Sequence, residues 1–240
     1  MKKLEIKDII IKENIGYGNF SEVKKCIYKD KLYRIKFITR NYSKNVVSNI
    51  IKMTDTKFDK EYFTPLYILE NETGYSLIYI MNYDETLKES FKIKDYNDKI
   101  TFLKNTRKII HKLHEDYKII HGDLVCENML YDENFNSFLI DFDSSIKFGS
   151  EFSDKQMIRI FVRDYLKYYP LDKNLDIYAF NITTLKLLGN YNNIGELFDN
   201  IESNKFNMFP NNKDVKKFIK ELELKDTRKK YSGEYIIDYI

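Results

Sequence analysis

Two short segments of the chain carry residue types that suit phosphoryl transfer. The first is His121-Gly-Asp-Leu-Val-Cys-Glu-Asn128, and the second is Ile140-Asp-Phe-Asp143. Asn128 and Asp141 offer oxygen atoms of the kind that bind Mg²⁺ together with phosphate oxygens and water. Asp123 could orient an attacking hydroxyl group and accept its proton late in the reaction. The order and spacing of these residues form a specific pattern, whereas any one Asp alone is more typical of a turn or a helix cap.

A glycine-rich segment near the N-terminus, Ile15-Gly-Tyr-Gly-Asn-Phe-Ser-Glu-Val23, could hold the phosphates of a nucleotide. Gly16 and Gly18 let the backbone approach phosphate oxygens, which free N–H groups then bind. A plain hairpin turn would also use two glycines, but the Phe-Ser-x-Val that follows makes the pattern more specific. Lys36 lies on the next predicted strand but one, where it could meet the α- and β-phosphates as a point charge.

The elements that must position these residues begin with a β-rich part of the chain. Lys29-Asp-Lys31 is typical of a hairpin connection, and Asn71–Gly74 is typical of a turn. A helix is predicted over residues 43–54, with Ser43 as its N-cap. Apolar and polar residues alternate imperfectly in the first predicted strand and more cleanly in the third, and the second is short and rich in β-forming residues. The five predicted strands are Leu4–Ile11, Val23–Tyr28, Leu32–Ile38, Thr64–Leu69 and Tyr75–Met81.

From Lys88 onward the periodicity becomes helical. Apolar residues from Ile100 to Tyr117 recur at helical spacing and predict a long amphipathic helix. Two short strands are predicted around Leu130 and Leu139. Three later helices are predicted over Asp176–Leu188, Val215–Leu222 and Tyr235–Ile240. A β-rich front followed by an α-rich back predicts two lobes that meet near residues 82–86.

Taken in order, these motifs resemble those of the protein kinases, and the chain is identified as a divergent member of the protein-kinase-like superfamily, of the eukaryotic Ser/Thr type. Four segments are similar to the glycine loop, Val-Ala-Ile-Lys, His-Arg-Asp-Leu-Lys-x-x-Asn and Asp-Phe-Gly: Ile15–Val23, Tyr33–Lys36, His121–Asn128 and Asp141–Asp143. Asp176–Asn181 resembles the start of a helix whose Asp holds the catalytic loop. Asp226-Thr-Arg228 resembles a C-terminal segment of the family.

The resemblance implies an α+β, bilobal protein-kinase-like fold with a five-stranded antiparallel sheet and one helix in the N-terminal lobe. A single kinase-like domain would span residues 1–240, with an N-lobe at 1–82, a hinge at 83–86 and a mainly helical C-lobe at 87–240.

It also implies roles for individual residues. The cofactors would be ATP and Mg²⁺, with Lys36 on the phosphates, Asn128 and Asp141 on the metal ion and Asp123 on the acceptor hydroxyl. Adenine would meet the backbone of the hinge between two apolar side chains. The nucleotide-binding residues besides Lys36 would be Ile15, Gly16, Gly18, Ser21, Val23, Met81, Asn82, Asp84 and Leu130.

Several positions depart from the family pattern. Gly122 replaces an Arg that pairs with a phosphate on the activation loop, so control by phosphorylation of that loop is not expected. Val125 replaces a Lys that contacts the γ-phosphate. Asp143 replaces a Gly and removes backbone freedom beside the metal ligand. Arg34 replaces an Ala on the same strand face as Lys36, where it would crowd adenine or stack on it.

Two family features have no clear counterpart. The helix at 43–54 contains no Glu to pair with Lys36, and the nearest acids, Asp55, Asp59 and Glu61, leave the partner unassigned. No Ala-Pro-Glu closes the activation segment, where Asp164 paired with Arg228 is a possible substitute.

Three functions are compatible with this pattern. The first is an ATP-dependent kinase that phosphorylates Ser and Thr in proteins, supported by the complete order of motifs. The second is a pseudokinase that serves as a binding or scaffold module, favoured by Arg34 and the missing Glu. The third is a small-molecule phosphotransferase of the aminoglycoside or choline kinase type, favoured by Gly122 and Asp143 but not by the short C-terminal half.

The composition excludes other classes of protein. Charged residues make up 32% of the chain and hydrophobic residues 43%, which is typical of a globular protein. The 40 basic and 37 acidic residues are interspersed and form no basic stripe for nucleic acid. The cysteines Cys26 and Cys126 are predicted to be reduced thiols. His111 and His114 could share a metal ion, but packed or surface histidines are far more common at this spacing.

No apolar run approaches the roughly 20 residues of a membrane span. The charged N-terminus, Met1–Asp8, lacks the apolar stretch of a signal peptide. We therefore expect a cytoplasmic protein, in the host cytoplasm if its source is viral. It would act as a monomer on a protein substrate or regulator, without binding nucleic acid or a membrane.

Overall fold

The protein is described by a computed structural model over residues 3–18, 21–39, 44–69, 75, 77–149, 171–202 and 233–240. It has an α+β architecture in which a β-sheet and one helix precede a part that is mainly helical. Within these ranges, no helix combines the length and the apolar character needed to cross a membrane.

The N-terminal sheet has six strands in the order β1-β5-β6-β4-β3-β2. They are β1 (Lys3–Leu4), β2 (Ile10–Gly18), β3 (Ser21–Tyr28), β4 (Lys31–Ile38), β5 (Pro65–Leu69) and β6 (Leu77–Asn82). Strands β2 to β6 are antiparallel to their neighbours, which confirms the predicted five-stranded antiparallel sheet. The short strand β1 adds a parallel edge beside β5.

The first predicted strand, Leu4–Ile11, is wrong in its position. The chain leaves β1, forms a 3₁₀ turn at Ile6–Asp8 and enters β2 only at Ile10. Of the three consecutive isoleucines that suggested a continuous strand, Ile9 alone is buried, and Ile10 is 59% exposed. Strand β2 then continues through both glycines of the glycine-rich segment.

The hairpin between β3 and β4 sets the register of Lys36. Lys29 and Asp30 both adopt positive φ angles, 48° and 60°, which is the backbone of a tight two-residue hairpin turn. The turn places Val23 opposite Lys36 on β3 and β4. On the other side of β4, Lys36 lies opposite Tyr79 of β6.

Helix α1 (Lys44–Thr54) packs its apolar face on this sheet. Ile50 is fully buried and clusters with Ile38, Leu77 and Tyr79. The helix confirms the one predicted over residues 43–54, although the proposed cap Ser43 lies outside the described residues.

The core of the C-terminal part is formed by α2 (Tyr96–Glu115) and α3 (Asn174–Leu188), followed by α4 (Ile194–Glu202). Asp95 caps α2 by accepting hydrogen bonds from the amides of Asn97 and Asp98. The buried apolar side chains of α2 are Phe102, Leu103, Ile110 and Leu113, and α3 is buried on nearly all sides. Both helices were predicted, α2 from its helical periodicity and α3 from the strongly apolar character of Asp176–Leu188.

Five short strands connect the helices. A three-stranded sheet contains β7 (Lys88–Glu89), β9 (Met129–Tyr131) and β10 (Ser137–Leu139), and a two-stranded ribbon pairs β8 (Ile119–Ile120) with β11 (Ile146–Lys147). The segment 121–128 links β8 to β9, and the segment 140–145 links β10 to β11. Both candidate catalytic segments are therefore held at each end by strand pairing.

Two expectations at the C-terminus have different outcomes. Tyr235–Ile240 was expected to be helical and forms only a 3₁₀ turn, Ile236–Tyr239. Six residues with two buried isoleucines are too few to favour an α-helix over this tighter turn. The helix predicted over Val215–Leu222 lies outside the described residues.

Candidate active site

The segment 121–128 is fixed to the core by the buried carboxylate of Asp176 in the first turn of α3. This carboxylate accepts hydrogen bonds from the amide of His121 at 2.7 Å and from the amide of Gly122 at 2.9 Å. The imidazole Nε2 of His114 on α2 donates a third bond to it at 2.8 Å. His114 is therefore a packed structural residue, while His111 on the same helix is exposed.

Gly122 occupies a position that no other residue can take without rearrangement. Its φ angle is 81°, in the left-handed region, and an added Cβ would lie 2.5 Å from the carbonyl oxygen of Ser144. The two candidate catalytic segments can approach each other this closely only because Gly122 has no side chain. Local geometry therefore explains why this chain lacks an Arg here.

Asp123 and Asn128 contact each other directly. The side-chain amide of Asn128 donates to the carbonyl oxygen of Asp123 and to its carboxylate, both at 2.9 Å. Because the nitrogen is used in this way, the amide oxygen of Asn128 is the atom left to meet a cation. The backbone carbonyl of Asn128 accepts from the amide of Ile140 at 3.1 Å, and so joins this pair to Asp141.

Asp141 lies in a left-handed conformation, with φ 64° and ψ 65°. Such a backbone is uncommon for a residue with a side chain and is concentrated at functional sites. Its carboxylate is 2.6 Å from the ammonium of Lys36 and remains 38% exposed. Burial would raise the pKa of this carboxyl group, but the adjacent ammonium prevails and lowers it.

Asp143 is the second carboxylate on Lys36, with its Oδ2 2.7 Å from the ammonium. The hydroxyl of Tyr79 also donates to this carboxylate. Burial, together with the nearby Asp141 carboxylate, raises the pKa of Asp143 despite the opposing effect of the Lys36 ammonium. The acid partners of Lys36 therefore come from residues 141 and 143, not from α1 or from the acids that follow it.

Sequence reasoning missed this role of Asp143, which was considered only as a lost glycine. The signal was available in two parts. One was a second carboxylate two residues beyond Asp141, and the other was a preceding helix without acidic residues.

The segment expected to form the hinge makes a contact that the sequence did not suggest. Met81 and Asn82 end β6 opposite Arg34 and Tyr33 of β4. The guanidinium of Arg34 lies 4.7 Å from the ring centre of Tyr83, a cation–π arrangement. Burial lowers the pKa of Arg34.

Beyond Tyr83, the carboxylate of Asp84 accepts from the amide and the hydroxyl of Thr86, at 2.9 and 2.7 Å. The structure thus places Arg34 against Tyr83, in the segment that was expected to form the hinge, whereas the sequence suggested that Arg34 would crowd or stack on adenine.

The glycine-rich segment lies at the ends of β2 and β3. Gly18 is paired with Ser21, and Gly16 with Val23. A Cβ added to Gly16 would have no atom within 4 Å. Packing within the described protein therefore gives no reason for a glycine at position 16.

The other predicted nucleotide contacts are only partly assembled. Ile15 precedes Gly16 on β2, and Phe20 of the motif lies outside the described residues. Val23 belongs to the six-stranded sheet, whereas Leu130 is buried in β9 of the three-stranded sheet. The substitute pair Asp164 and Arg228, and the segment Asp226–Arg228, lie outside the described residues.

Within the described ranges, no group of three or more His, Cys, Asp and Glu side chains is arranged to hold a metal ion. A site formed by one carboxylate and one amide oxygen does not require such a group. Both atoms are hard oxygen ligands, and Mg²⁺ is commonly held by one or two protein oxygens plus phosphate oxygens. Asn128 and Asp141 therefore fit Mg²⁺ bound to a nucleotide.

No protein-family model matches the chain, and no curated protein matches its sequence. The function must therefore be argued from the chemistry of the site itself.

Proposed function

We propose that this chain is an ATP-dependent protein kinase that transfers the γ-phosphoryl group of Mg-ATP to Ser and Thr hydroxyls. The observation that carries the proposal is the convergence of Lys36, Asp123, Asn128 and Asp141 from distant parts of the sequence. The ion pair of Lys36 with Asp141, the backbone bond from Ile140 to Asn128 beside it, and the bond from Asn128 to Asp123 join them. Chance placement of turn or cap residues does not account for such a series.

The same contacts support a bilobal arrangement. Residues up to 82 form the sheet and α1, and residues beyond the hinge are mainly helical. The ion pair between Lys36 and Asp141 spans 105 positions in sequence and joins the two parts. A nucleotide held between them would contact both, as phosphoryl transfer requires.

Each residue would have a separate part in the reaction. Lys36 would hold the α- and β-phosphates, and bound Mg²⁺ on Asn128 and Asp141 would neutralise phosphate charge. Asp123 would align the acceptor hydroxyl and take its proton as its oxygen bonds to the γ-phosphorus and the bond to the bridging oxygen of ADP breaks. The contact from Asn128 keeps the Asp123 carboxylate in place for this role.

The test is incubation of the protein with Mg²⁺ and labelled ATP, alone and with generic protein substrates. Asp123→Asn should lower transfer by about 10²–10⁴-fold, the range typical of a lost general base. Asp116→Asn, which removes an exposed carboxylate after α2, is the matched control and should keep wild-type transfer. Equal transfer by Asp123→Asn and wild type would refute the proposal, and transfer only to a small amino-alcohol would identify a small-molecule phosphotransferase.

The stack of Arg34 on Tyr83 favours a second candidate, a binding module that does not use ATP. In this candidate the guanidinium would occupy space that adenine needs beside the hinge. A thermal-shift titration with Mg-ATP distinguishes the two candidates. Stabilisation that is lost in Lys36→Ala supports the kinase, and no shift in either protein supports the binding module.

A further inference from the structure

The ammonium of Lys36 is almost fully buried, with 7% of its side chain exposed. A buried charge is tolerated only when an opposite charge and hydrogen bonds compensate for lost water. Within the described part of the chain, that compensation comes from two carboxylates, at 2.6 and 2.7 Å.

Helix α1 cannot provide a third acid. Residues 44–54 contain no Asp or Glu. The buried residue that α1 presents beside Tyr79 is Ile50, an apolar side chain. The residue that holds the Lys36 ammonium in place must therefore come from elsewhere in the site.

The two carboxylates differ in a way that separates their tasks. Asp141 is partly exposed and can turn one oxygen toward a metal ion. Asp143 is 7% exposed, lies within a 3₁₀ turn over Phe142–Ser144 and accepts the Tyr79 hydroxyl as well as the ammonium. When Mg²⁺ draws on Asp141, Asp143 is the acid that still balances Lys36.

We propose that Asp143, fixed by Tyr79, is the positioning residue that holds Lys36 in place while Asp141 binds the metal ion of the nucleotide. The inference rests on the proposed function, because it concerns the same Mg-ATP site. It assigns to a buried acid from segment 140–145 the task that an acidic residue of α1 would otherwise have. Tyr79 acts through Asp143 and touches no substrate.

The experiment measures Mg²⁺ dependence of ATP binding and of phosphoryl transfer in Asp143→Asn and Tyr79→Phe. Asp143→Asn keeps a hydrogen-bond acceptor but leaves Asp141 as the only counter-charge of Lys36 among the described residues, so the metal ion and the lysine compete for the Asp141 carboxylate. The Mg²⁺ concentration at half-saturation should rise about 10- to 100-fold, as is typical when a partner of a metal ligand is removed. Tyr79→Phe should shift it in the same direction by less.

Matched controls and the double variant sharpen the test. Asp30→Asn, the control for Asp143→Asn, removes an exposed carboxylate at a hairpin tip that suits Asn. Tyr33→Phe, the control for Tyr79→Phe, removes a hydroxyl from β4, the strand next to that of Tyr79. Both should keep the wild-type Mg²⁺ dependence. The double variant Asp143→Asn/Tyr79→Phe should be no worse than Asp143→Asn, because the two residues act in series. A purely structural role would instead give additive losses of stability and no change in Mg²⁺ dependence.

The outcomes separate the inference from the proposed function. An active wild type whose Asp143→Asn variant keeps wild-type Mg²⁺ dependence overturns the inference and leaves the kinase intact. A wild type that neither binds Mg-ATP nor transfers phosphoryl groups overturns both. If Asp143→Asn fails to fold by circular dichroism, Tyr79→Phe decides the matter, since it retains the ring packing and both carboxylates.

Discussion

Removal of the Asp176 carboxylate should release the segment 121–128 from the core. Asp176 is completely buried and accepts three hydrogen bonds, from the amides of His121 and Gly122 and from His114. Hydrogen bonds to a charged group contribute about 1.5–3 kcal/mol each. At the lower end of that range three bonds sum to about 4.5 kcal/mol, and losses above about 5 kcal/mol are exceptional for one substitution, so Asp176→Ala should lower the free energy of unfolding by about 4–5 kcal/mol. This is a large part of the 5–15 kcal/mol that is typical of a whole domain.

Asp176→Asn provides a graded comparison. Its single oxygen can still serve the two donors that share Oδ2, while its nitrogen faces the amide of Gly122. One hydrogen bond and the charge are lost, so a decrease of about 2 kcal/mol is expected. Asp116→Asn, which removes an exposed carboxylate, should stay within about 0.5 kcal/mol of wild type.

Urea and thermal unfolding followed by circular dichroism measure these differences. For a chain of 240 residues, each kcal/mol corresponds to about 2–4 °C in Tm, so Asp176→Ala should melt about 8–20 °C lower. A decrease in the free energy of unfolding below about 1 kcal/mol for Asp176→Ala would refute the reasoning, because three buried donors without an acceptor should cost more than that. A larger loss for Asn than for Ala would also contradict it.

Three further predictions concern single positions. Gly122→Ala should destabilise the protein by at least about 2 kcal/mol in urea unfolding, since a Cβ is opposed by the left-handed backbone and would lie 2.5 Å from the Ser144 carbonyl oxygen. An unchanged unfolding midpoint would contradict the described geometry. Gly16→Ala should leave stability unchanged or raise it by about 0.5 kcal/mol, because the added Cβ meets no protein atom, and should weaken Mg-ATP binding measured by calorimetry. A destabilised variant would show that packing requires this glycine. Lys99→Met should lower stability by about 1–3 kcal/mol, since its buried ammonium donates to a main-chain carbonyl at 2.9 Å. Lys94→Met, which removes an exposed ammonium, should not lower stability, and equal stabilities of the two variants would argue against that bond.

Local sequence patterns were sufficient for most of the elements. The β-rich composition of Val23–Tyr28 located β3, and alternation located β4. Helical periodicity located α2, which has one buried face, whereas α3 was located by its strongly apolar sequence because it is buried on nearly all sides. The pattern failed at Leu4–Ile11, where three adjacent isoleucines do not reveal which one enters the core. It also failed at Tyr235–Ile240, where tertiary burial of two residues decided the conformation.

The candidate site was predictable in its residue types but not in its pairing. Lys36 and its two acids are more than 100 positions apart, and the register that joins them depends on the whole sheet. The sequence suggested that Asp143 costs backbone freedom, yet the left-handed residue is Asp141, and Asp143 has no positive φ. The glycine normally associated with this position is therefore not needed for the conformation observed.

Departures from the kinase pattern at two positions become parts of one arrangement under the proposed function. Gly122 allows the Ser144 carbonyl to approach the segment 121–128, and the Ser145 hydroxyl joins the two candidate catalytic segments by donating to the carbonyl oxygen of His121 at 3.0 Å. Asp143 balances Lys36 without an acid from α1. Both contacts are buried and are complete within the described structure, so neither requires a modification or a helix movement to form. A kinase built in this way would be active as folded. Lys36 and Mg²⁺ would compete for the carboxylate of Asp141, and that competition would be its main point of control.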